Sequence, residues 1–569
     1  MKKSNKNNRP WTAFYGNVPA NLKYPNISIV DLINETALKY PNNIAYDYFG
    51  SKCTYKELMQ KIETVARALK AYGIQKGEKV TICMPNTPEG IISFYAVNMV
   101  GAIANMIHPL SSEKEMEMHL NTTKSKFVIC IDVAFLKIYN IMKYTKVERI
   151  VVAGAGEDFK IVKSSLYWLK EGRKVKIPYN NEIIPWKTFL KAQNYYKKNY
   201  NAHLKANDPA VILYSGGTTG HPKGILLSNL NFNALAMQCG LMCNPADPGM
   251  SILSIMPIFH GFGLGVCIHT PLHRGMKCIL IPAFSFRDFA KLIKRYRPNF
   301  LVGVPALFES LMRNKFNKNE LSCIKCIVSG GDFMLPELKK KVDAFLSSYG
   351  CKTSVRQGYG LTEAAGATCL TPEGLYKEGT VGIPLPDMYY KIVKIGTHDE
   401  ALCNQDGEIC ISGPTVMIKY VNNPEETYQT IRKHDDNRYW LHTGDIGSMD
   451  ENGFVFFKQR LKRVIISSGY NIYPSYIENV INSHPDVLTS TVIGIDHPYK
   501  NQVAKAFIVL RDNVKVTDKI KKEIKKICEQ NISKYSLPYE YEFRSSLPKT
   551  SVGKVAFTKL EEEEKSKKR

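Results

Sequence analysis

Apolar runs and amphipathic stretches alternate along the first part of the chain and predict an α/β fold. The runs at 44–48 and 80–83 predict buried strands. Between them, residues 55–72 place apolar side chains on one helical face: Leu58, Ile62, Val65 and Leu69. Strand–helix–strand alternation is the pattern of parallel sheets covered by helices.

The same alternation continues towards the C-terminus. Further helices are predicted at 91–99, 286–297 and 336–347, and further strands at 101–107, 127–131, 150–152 and 327–329. From Gly407 the apolar residues form short runs at 408–411 and 453–457, which predict a β-rich subdomain. After Gly469 the chain has roughly the 100 residues of a small separate domain.

The composition indicates a globular protein of several units. The chain has 569 residues, which is too many for one ordinary hydrophobic core, and 44% of them are apolar. A net charge of +25 favours polyanionic small molecules such as ATP and CoA, or anionic lipid. Because the lysines are dispersed, without the pattern of a nucleic-acid module, we predict no nucleic-acid partner.

The cysteines and the N-terminus favour a cytoplasmic location. Fourteen cysteines are scattered, and Met1–Arg9 is polar and basic, unlike a signal peptide. The close pair Cys323 and Cys326 runs into an apolar strand and is interpreted as structural. No segment approaches the ~18 consecutive apolar residues of a spanning helix.

A basic, aromatic insert occupies residues 159–205. Its Trp, Tyr and Lys residues are favoured at a lipid headgroup boundary, so peripheral contact with an anionic membrane is one interpretation. A surface excursion with a solvated, charged face is the other.

The stretch 210–224 has the composition of a phosphate-binding loop. A predicted strand at 210–214 ends in small and hydroxylated residues, and the glycines let backbone N–H groups approach an anion. Lys223 adds a positive charge. It is not a Walker A loop, because Gly224 instead of Ser or Thr follows the lysine. A glycine-rich hairpin turn is the alternative interpretation.

Thr-Thr-Gly-x-Pro-Lys-Gly at 218–224 resembles the signature loop of the adenylate-forming superfamily of acyl-CoA synthetases, luciferases and adenylation domains. Four later segments resemble its other motifs in the same order: Arg356–Glu363, His442–Asp445, Arg460–Pro474 and Leu547–Lys554. The segments 9–15 and 31–41 are similar to those of bacterial long-chain fatty acid:CoA ligases.

The resemblance implies a fold and a reaction. A large N-terminal domain, 1–461, would contain layered α/β subdomains and a β-rich subdomain, and a small mobile α+β domain, 462–569, would turn about a hinge at Lys462. The implied enzyme is an AMP-forming acid–thiol ligase with Mg²⁺, ATP and CoA. It converts a medium- or long-chain fatty acid to acyl-AMP and then to acyl-CoA. The substrate carboxylate is the nucleophile, so catalysis comes from positioning and positive charge.

The resemblance also implies residue roles. Lys554 would contact the α-phosphate and the carboxylate, Glu363 would bind Mg²⁺ beside Thr362, and His260 would border the acyl site. Asp445 would accept the ribose hydroxyls with Arg460 below, and Tyr359 would flank the adenine. The residues expected to bind ATP or CoA are Tyr214, Ser215, Gly216, Gly217, Thr218, Thr219, Gly220, Lys223, Gly224, Gly331, Tyr359, Gly360, Asp445, Arg460, Lys462 and Gly469.

Four of these residues also have an ordinary structural interpretation, which for Glu363 is a helix-capping glutamate. Lys554 lies in a lysine-rich tail, a lone tyrosine is often a core residue, and a histidine beside a phenylalanine is often simply packed. The chain also departs from the family pattern at Asn229, Arg463, Tyr476 and Phe557. We expect these changes to bear on CoA docking and acyl-chain gating.

Other functions stay open at this stage. The acid could be aryl or a bile acid, and the acceptor could be a carrier-protein thiol. A catalytically silent lipid-binding protein on the same scaffold is an alternative of another class. We expect a cytoplasmic protein that contacts the inner face of the cell membrane, and a dimer is compatible with the sequence.

Overall fold

Two sheets of mainly parallel strands form the larger part of the fold. The computed structural model describes residues 9–154, 157, 177–215, 223–467, 470–512, 514–534, 536–549 and 555–567. The first sheet has a parallel centre and antiparallel ends. Its strands, in order, are Ile383–Pro384, Cys369–Leu370, Val355–Tyr359, Cys326–Ser329, Phe300–Gly303, Ser251–Ser254, Lys277–Leu280, Ile44–Tyr48 and Ser51–Thr54.

The second sheet carries the strand before the signature loop and the strand after it. Its order is Lys419–Tyr420, Lys223–Ser228, Pro209–Ser215, Ile103–Met106, Lys79–Cys83, Phe127–Ile131, Arg149–Ala153 and Ile183–Pro185. Pro209–Ser215 and Lys223–Ser228 pair antiparallel, with Ser215 opposite Lys223. The hairpin interpretation is therefore correct for the two flanking strands, and it is compatible with a phosphate-binding loop between them.

Two further sheets are antiparallel for the most part. The β-rich sheet contains Tyr389–Val393, Gly407–Ser412, Tyr439–Met449, Ile431–Lys433 and Val455–Arg460. The C-terminal sheet contains Tyr470–Ile472, Ile465–Ser467, Asn501–Leu510, Val487–His497 and Glu540–Phe543. The predicted fold class is thereby confirmed, whereas the boundary at Lys462 and the mobility of the small domain stay predictions.

The helices cover the sheets and connect their strands. The α-helices are Ile29–Lys39, Tyr55–Ala71, Pro88–Met99, Glu113–Thr123, Asp132–Ile141, Trp186–Lys191, Asn229–Met242, Thr270–His273, Phe289–Tyr296, Pro305–Leu311, Pro336–Ser348, Pro424–Thr430, Pro474–Asn482, Asp518–Asn531 and Phe557–Lys567. A π-helix spans Phe262–His269. Short 3₁₀-helices span Pro10–Phe14, Met142–Tyr144, Ala192–Tyr195, Phe286–Asp288, Thr362–Ala364 and Leu461–Arg463.

Local sequence explains the helix Tyr55–Ala71. The Thr54 hydroxyl accepts a hydrogen bond from the Glu57 N–H, and the Glu57 carboxylate accepts one from the Thr54 N–H, which forms a capping box. The predicted apolar face is buried. In contrast, every residue of Pro88–Met99 is buried, as expected of a helix that is covered on all sides.

Asn229, one of the departures from the family pattern, connects three segments. Its side-chain oxygen accepts hydrogen bonds from the Ile29 N–H (3.1 Å) and the Asn98 amide (2.8 Å). Its own amide donates to the carbonyls of Lys205 and Asp208, each at 3.0 Å. Asn229 is completely buried, and its hydrogen-bonded amide holds these three segments of the N-terminal domain together.

The structure describes only the second half of the basic insert, and residues 158–176 lie outside the described residues. In the described half Trp186 and Phe189 are buried core residues, whereas Tyr195 is exposed. The two buried aromatic residues are therefore not available to a membrane surface. Among the described residues, no helix combines the length and the apolar character needed to cross a bilayer.

A buried lysine joins the C-terminal helix to its sheet. The Lys505 ammonium lies 3.0 Å from Glu540, 3.0 Å from Glu542 and 2.8 Å from Glu564, and its side chain is only 7% exposed. Burial alone would lower the pKa of Lys505, but the three carboxylates outweigh burial and raise it. Lys505 therefore stays charged and holds three anions together.

We expect Lys505→Met to lower the free energy of unfolding of the full chain by about 2 kcal/mol. This is less than the roughly 3–5 kcal/mol of a fully buried pair, because two of the carboxylates are partly exposed. Chemical denaturation measures the effect. The matched control is Lys519→Met, which removes an exposed i,i+4 pair and should cost less than about 0.5 kcal/mol. Equal effects of the two changes would contradict the prediction.

Candidate active site

A cavity of about 1210 Å³ is lined by residues from all four sheets. Ordinary ligand pockets occupy roughly 300–1,000 Å³, so this one has room for more than one substrate. Its wall includes ends of the parallel strands, where Tyr214, Val302 and Tyr359 lie, and the paired residues Asp445 and Arg460 of the β-rich sheet. Several separated sequence motifs therefore meet at one place.

The carboxylate of Asp445 is a buried acidic group of this wall with two side-chain partners. It is 1% exposed, and its Oδ1 lies 2.9 Å from Nε of Arg460, the residue opposite it on the neighbouring strand. The Tyr359 hydroxyl donates to its Oδ2 at 2.6 Å. A carboxylate has about four lone-pair sites, so both oxygens keep capacity to accept ligand hydroxyls.

The surroundings keep these groups in the required protonation states. Burial, and then the Asp445 charge, raise the pKa of Tyr359 well above its usual range, so its hydroxyl remains a donor. The Asp445 carboxylate raises the pKa of Arg460. The Arg460 Nη1 also donates to the Thr443 carbonyl at 3.1 Å, which fixes the guanidinium beside the carboxylate.

Two positions on the cavity wall require glycine, each for a different physical reason. Gly331, after the strand Cys326–Ser329, has φ +77°, a left-handed conformation that side chains other than glycine rarely adopt. At Gly360 a Cβ would lie 2.2 Å from the Gly366 carbonyl oxygen. Gly360 is therefore required by the packing of its own loop, whatever binds in front of it.

Glu363 and Lys223 are connected through a second set of polar contacts. The Tyr420 hydroxyl donates to Oε1 of Glu363 at 3.0 Å, and the Lys223 ammonium lies 5.2 Å from the centre of the Tyr420 ring. Lys223 also forms an ion pair with Glu426. These groups line the cavity together with the buried Thr362.

Tyr214 turns towards the helix Glu113–Thr123. Its hydroxyl donates to Oδ1 of Asn105 at 2.8 Å, and its ring stacks on His119 with 3.8 Å between the centroids. Burial lowers the pKa of His119 to about 4, so this imidazole is neutral at neutral pH. In this arrangement the Tyr214 hydroxyl is held by protein groups. Ser215 and Gly224 lie beside it on the hairpin strands.

His260 lies on the cavity wall, two residues before the π-helix begins at Phe262. The Phe262 N–H donates to Nδ1 of His260 at 3.3 Å. At Gly263 a Cβ would lie 1.9 Å from the Pro257 carbonyl oxygen, so glycine is needed for this tight start. π-Helices are rare and frequently occur at functional sites.

Beyond His260 the cavity becomes apolar. Residues of strands of the first sheet, of two helices and of two loops form this part of the wall: Cys239, Ala246, Ile252, Val266, Met276, Phe300 and Val302. The same cavity thus joins a polar end at Asp445 with an apolar extension.

The C-terminal unit also reaches the cavity. Val555 and Phe557 line it, and the Phe557 ring lies 4.9 Å from the Arg463 guanidinium, which pairs with Glu478 at 2.5 Å. Two of the departures from the family pattern, Arg463 and Phe557, are therefore in contact. A third, Tyr476, donates through its hydroxyl to the Asn531 carbonyl at 2.7 Å.

Several predicted site residues lie outside the described residues. They are Gly216, Gly217, Thr218, Thr219, Gly220, Gly469 and Lys554, and of Lys462 only the backbone is described. Their predicted roles stay predictions.

Tyr420 and Glu426 are cavity residues that sequence analysis missed. They follow no glycine-rich turn and belong to no motif. Tyr420 reaches the cavity because the two-residue strand Lys419–Tyr420 pairs with Lys223–Ser228, beside Ile225. A pairing between segments so far apart leaves no periodic pattern in the sequence.

Comparison with known proteins agrees with this geometry. Residues 33–421 match the family model described as AMP-binding enzyme, and residues 476–554 match that of the AMP-binding enzyme C-terminal domain. ATP-bound MatB from Rhodopseudomonas palustris has a TM-score of 0.81 at 23% identity, covering 95% of this chain and 100% of that one. The latter similarity shows a shared fold.

Full-length relatives are similar in sequence. The chain is 31% identical over 562 residues to a long-chain-fatty-acid--CoA ligase of Bacillus subtilis (strain 168). The aligned residues make up 98% of this chain and 98% of the relative. It is 28% identical over 551 residues to a probable 4-coumarate--CoA ligase 3 of Dictyostelium discoideum, covering 94% of this chain and 95% of the relative. The family model spans more than half of the chain and the first relative matches it almost end to end, so this chain belongs to the AMP-binding enzyme family.

Proposed function

We propose that this protein is a fatty acid:CoA ligase that activates a medium- or long-chain fatty acid with ATP. The observation that carries the proposal is a single cavity that has Asp445, with Arg460 and Tyr359, at one end and an apolar extension beyond His260. An apolar wall suits an acyl chain, because burying each CH₂ contributes about 0.8 kcal/mol. The similarity to the Bacillus subtilis relative supports the same substrate class.

The proposed reaction has two halves. In the first, a carboxylate oxygen of the fatty acid attacks the α-phosphorus of ATP, and the bond from that phosphorus to the bridging oxygen breaks. Acyl-AMP and pyrophosphate result. In the second, the CoA thiolate attacks the acyl carbon, and AMP leaves as the carbon–oxygen bond breaks. The protein supplies positioning and positive charge.

We assign the polar end of the cavity to the nucleotide. Asp445 would accept the ribose hydroxyls, held in place by Arg460 and Tyr359. The Gly330–Gly331 turn and the Tyr359 ring would flank the adenine. The loop 216–220 and Lys223 would bind the departing phosphates, for which Lys223 exchanges its partner Glu426.

Glu363 suits Mg²⁺, because its carboxylate lies on the cavity wall and offers the hard oxygen ligands that this cation prefers. The Tyr420 hydroxyl orients that carboxylate through Oε1. Bound Mg²⁺ would neutralise the charge of the triphosphate. Thr362, next to Glu363, would donate its hydroxyl to a phosphate.

We further infer that the small domain turns at Lys462 between the two halves of the reaction. Lys554 would stabilise the charge on the α-phosphate during adenylation and then withdraw, while the loop at Gly469 comes into use. The position of Val555 on the cavity wall supports this inference, because it directly follows Lys554 in the chain. A hinge needs only a few backbone angles to change.

An aryl acid is the second candidate substrate, favoured by the similarity to the Dictyostelium discoideum relative. A panel of acids separates the two. We expect CoA-dependent AMP release from ATP with C8 to C18 fatty acids to be at least ~100-fold more efficient than with coumarate or a bile acid, because several CH₂ groups fill the apolar extension. Coumarate as the best acid would contradict the proposal. If no acid in the panel gave pyrophosphate release, the result would favour a catalytically silent lipid-binding protein.

We expect Lys554→Ala to slow acyl-adenylate formation by ~10²-fold or more, the usual effect of removing a main electrostatic donor. Thioester formation from supplied acyl-adenylate should survive. Single-turnover pyrophosphate and acyl-CoA assays measure the two halves separately. Lys223→Ala is the comparison, and it should slow adenylation less than Lys554→Ala. Equal loss of both halves in Lys554→Ala would contradict a separate role for this lysine.

Peripheral membrane contact is a further proposal, and it rests on charge. Lys191, Lys197 and Lys198 are exposed in the described half of the insert, near exposed Tyr195. Each lysine near an anionic surface contributes about 1 kcal/mol. Changing these three lysines to Gln should therefore weaken sedimentation with phosphatidylglycerol vesicles at least ~10-fold. The control changes the exposed Lys519, Lys521 and Lys522 to Gln, and equal weakening by both sets would argue against contact through the insert.

A further inference from the structure

Three histidines from separate segments of the β-rich sheet converge on one point. His398 lies in the turn after Tyr389–Val393, His434 directly follows Ile431–Lys433, and His442 lies within Tyr439–Met449. One ring nitrogen of each lies within 4.8 Å of the others. We call these three residues the histidine cluster. None of them has a part in the reaction proposed above.

A carboxylate orients the central histidine. Nδ1 of His442 lies 2.8 Å from Oε2 of Glu408, and both side chains are buried. With its proton on Nδ1, His442 donates to Glu408 and keeps the lone pair of Nε2. That lone pair faces the rest of the cluster, since Nε2 of His442 lies 2.9 Å from Nε2 of His434. A carboxylate behind a histidine is the usual support of a metal-binding imidazole.

The other two rings complete a set of ligands. The His398 and His434 rings stack with 4.4 Å between their centroids and an angle of 11°. Because imidazole lone pairs lie in the ring plane, the exposed His398 ring would turn about its side-chain bonds to share an ion with His434. Two imidazole nitrogens that share a tetrahedral metal at about 2.0–2.1 Å are about 3.3 Å apart, so the His434–His442 pair needs to open by only a few tenths of an ångström. Among the described residues, Nδ1 of His434 has no hydrogen-bond partner.

The cluster has a route to solvent and a mixed set of neighbouring charges. His398 is exposed, whereas His434 and His442 are buried. The positive charge of Lys391 would repel a bound metal ion. That charge is partly offset, because the ammonium lies 3.7 Å from an Asp436 carboxylate oxygen and 4.2 Å from the centre of the Trp440 ring. The Glu408 carboxylate favours a cation. Arg432, the other nearby cation, donates through Nε to the Gln429 carbonyl.

We propose that His398, His434 and His442 bind a transition-metal ion of the Zn²⁺ class, with solvent as a further ligand. Imidazole nitrogen suits Zn²⁺, Co²⁺, Ni²⁺ and Cu²⁺, whereas Mg²⁺ prefers oxygen ligands. The site is thus chemically distinct from Glu363. It also borders the nucleotide end of the cavity, because His442 and Glu408 line that cavity and the other oxygen of Glu408 accepts from the Gly444 N–H at 3.0 Å, next to Asp445.

The proposal is tested on the full chain after treatment with a chelator. Zn²⁺ is titrated in competition with a chromophoric chelator, and Co²⁺ is added separately to record its visible absorption. The unchanged protein should bind one Zn²⁺ through this site, and Co²⁺ should give the intense bands of a tetrahedral complex. His398→Asn should weaken this binding at least ~10-fold, and Glu408→Gln by about 10–100-fold.

The matched control is His203→Asn, which removes another exposed histidine, at a residue whose φ of +45° suits asparagine. It should bind both metals like the unchanged protein. His398→Asn keeps the test independent of folding, because its side chain is exposed. Equal Zn²⁺ affinity in His398→Asn and His203→Asn, or Co²⁺ bands that persist in His398→Asn, would overturn the proposal. The cluster would then be a hydrogen-bonded histidine pair beside a stacked third ring.

Discussion

The arrangement of the nucleotide end of the cavity depends on the contacts of the buried Asp445 carboxylate with Arg460 and Tyr359. A carboxylate that is 1% exposed loses nearly all of its hydration, which costs several kcal/mol unless protein groups replace it. Arg460 and Tyr359 replace it with a cation and a short hydrogen bond. Because Tyr359 ends a strand of the first sheet, this one contact joins that sheet to the β-rich sheet. Removing either partner would leave a buried charge with too few donors.

The strand Tyr439–Met449, which carries Asp445, is also held by Glu408 of the neighbouring strand. His442 and Gly444 both bind Glu408, one through Nδ1 and one through its N–H, and the Thr443 carbonyl accepts from Arg460, so all four residues of the segment 442–445 are bonded to neighbours. Such a strand presents Asp445 in one position before any ligand arrives. Pre-organisation of this kind lowers the cost of binding, because fewer side chains have to be ordered by the ligand.

The cavity connects two kinds of chemistry. Its polar end combines the Asp445 cluster with the Glu363–Tyr420 and Lys223–Glu426 contacts. Its apolar extension is built from buried strand ends and from the helices that face them. The π-helix contributes Phe262 and Val266 to the wall, and Gly263 within it allows close approach to the Pro257 carbonyl. A reaction that joins a charged nucleotide to an apolar acid requires this juxtaposition.

The sequence by itself determined the local elements and the motifs. The strand Phe127–Ile131 and the buried face of Tyr55–Ala71 follow from periodicity, because each depends on neighbours only a few residues away. The motifs located Tyr359, Asp445 and Arg460, which the structure brings together. Tertiary structure alone decided that Tyr420 contacts Glu363, that Asn229 connects three segments, that Trp186 and Phe189 are buried, and that His398 meets His434 and His442. These outcomes depend on segments that lie far beyond a local window of sequence, such as residues 29 and 229, and the periodic pattern of neighbouring residues does not record them.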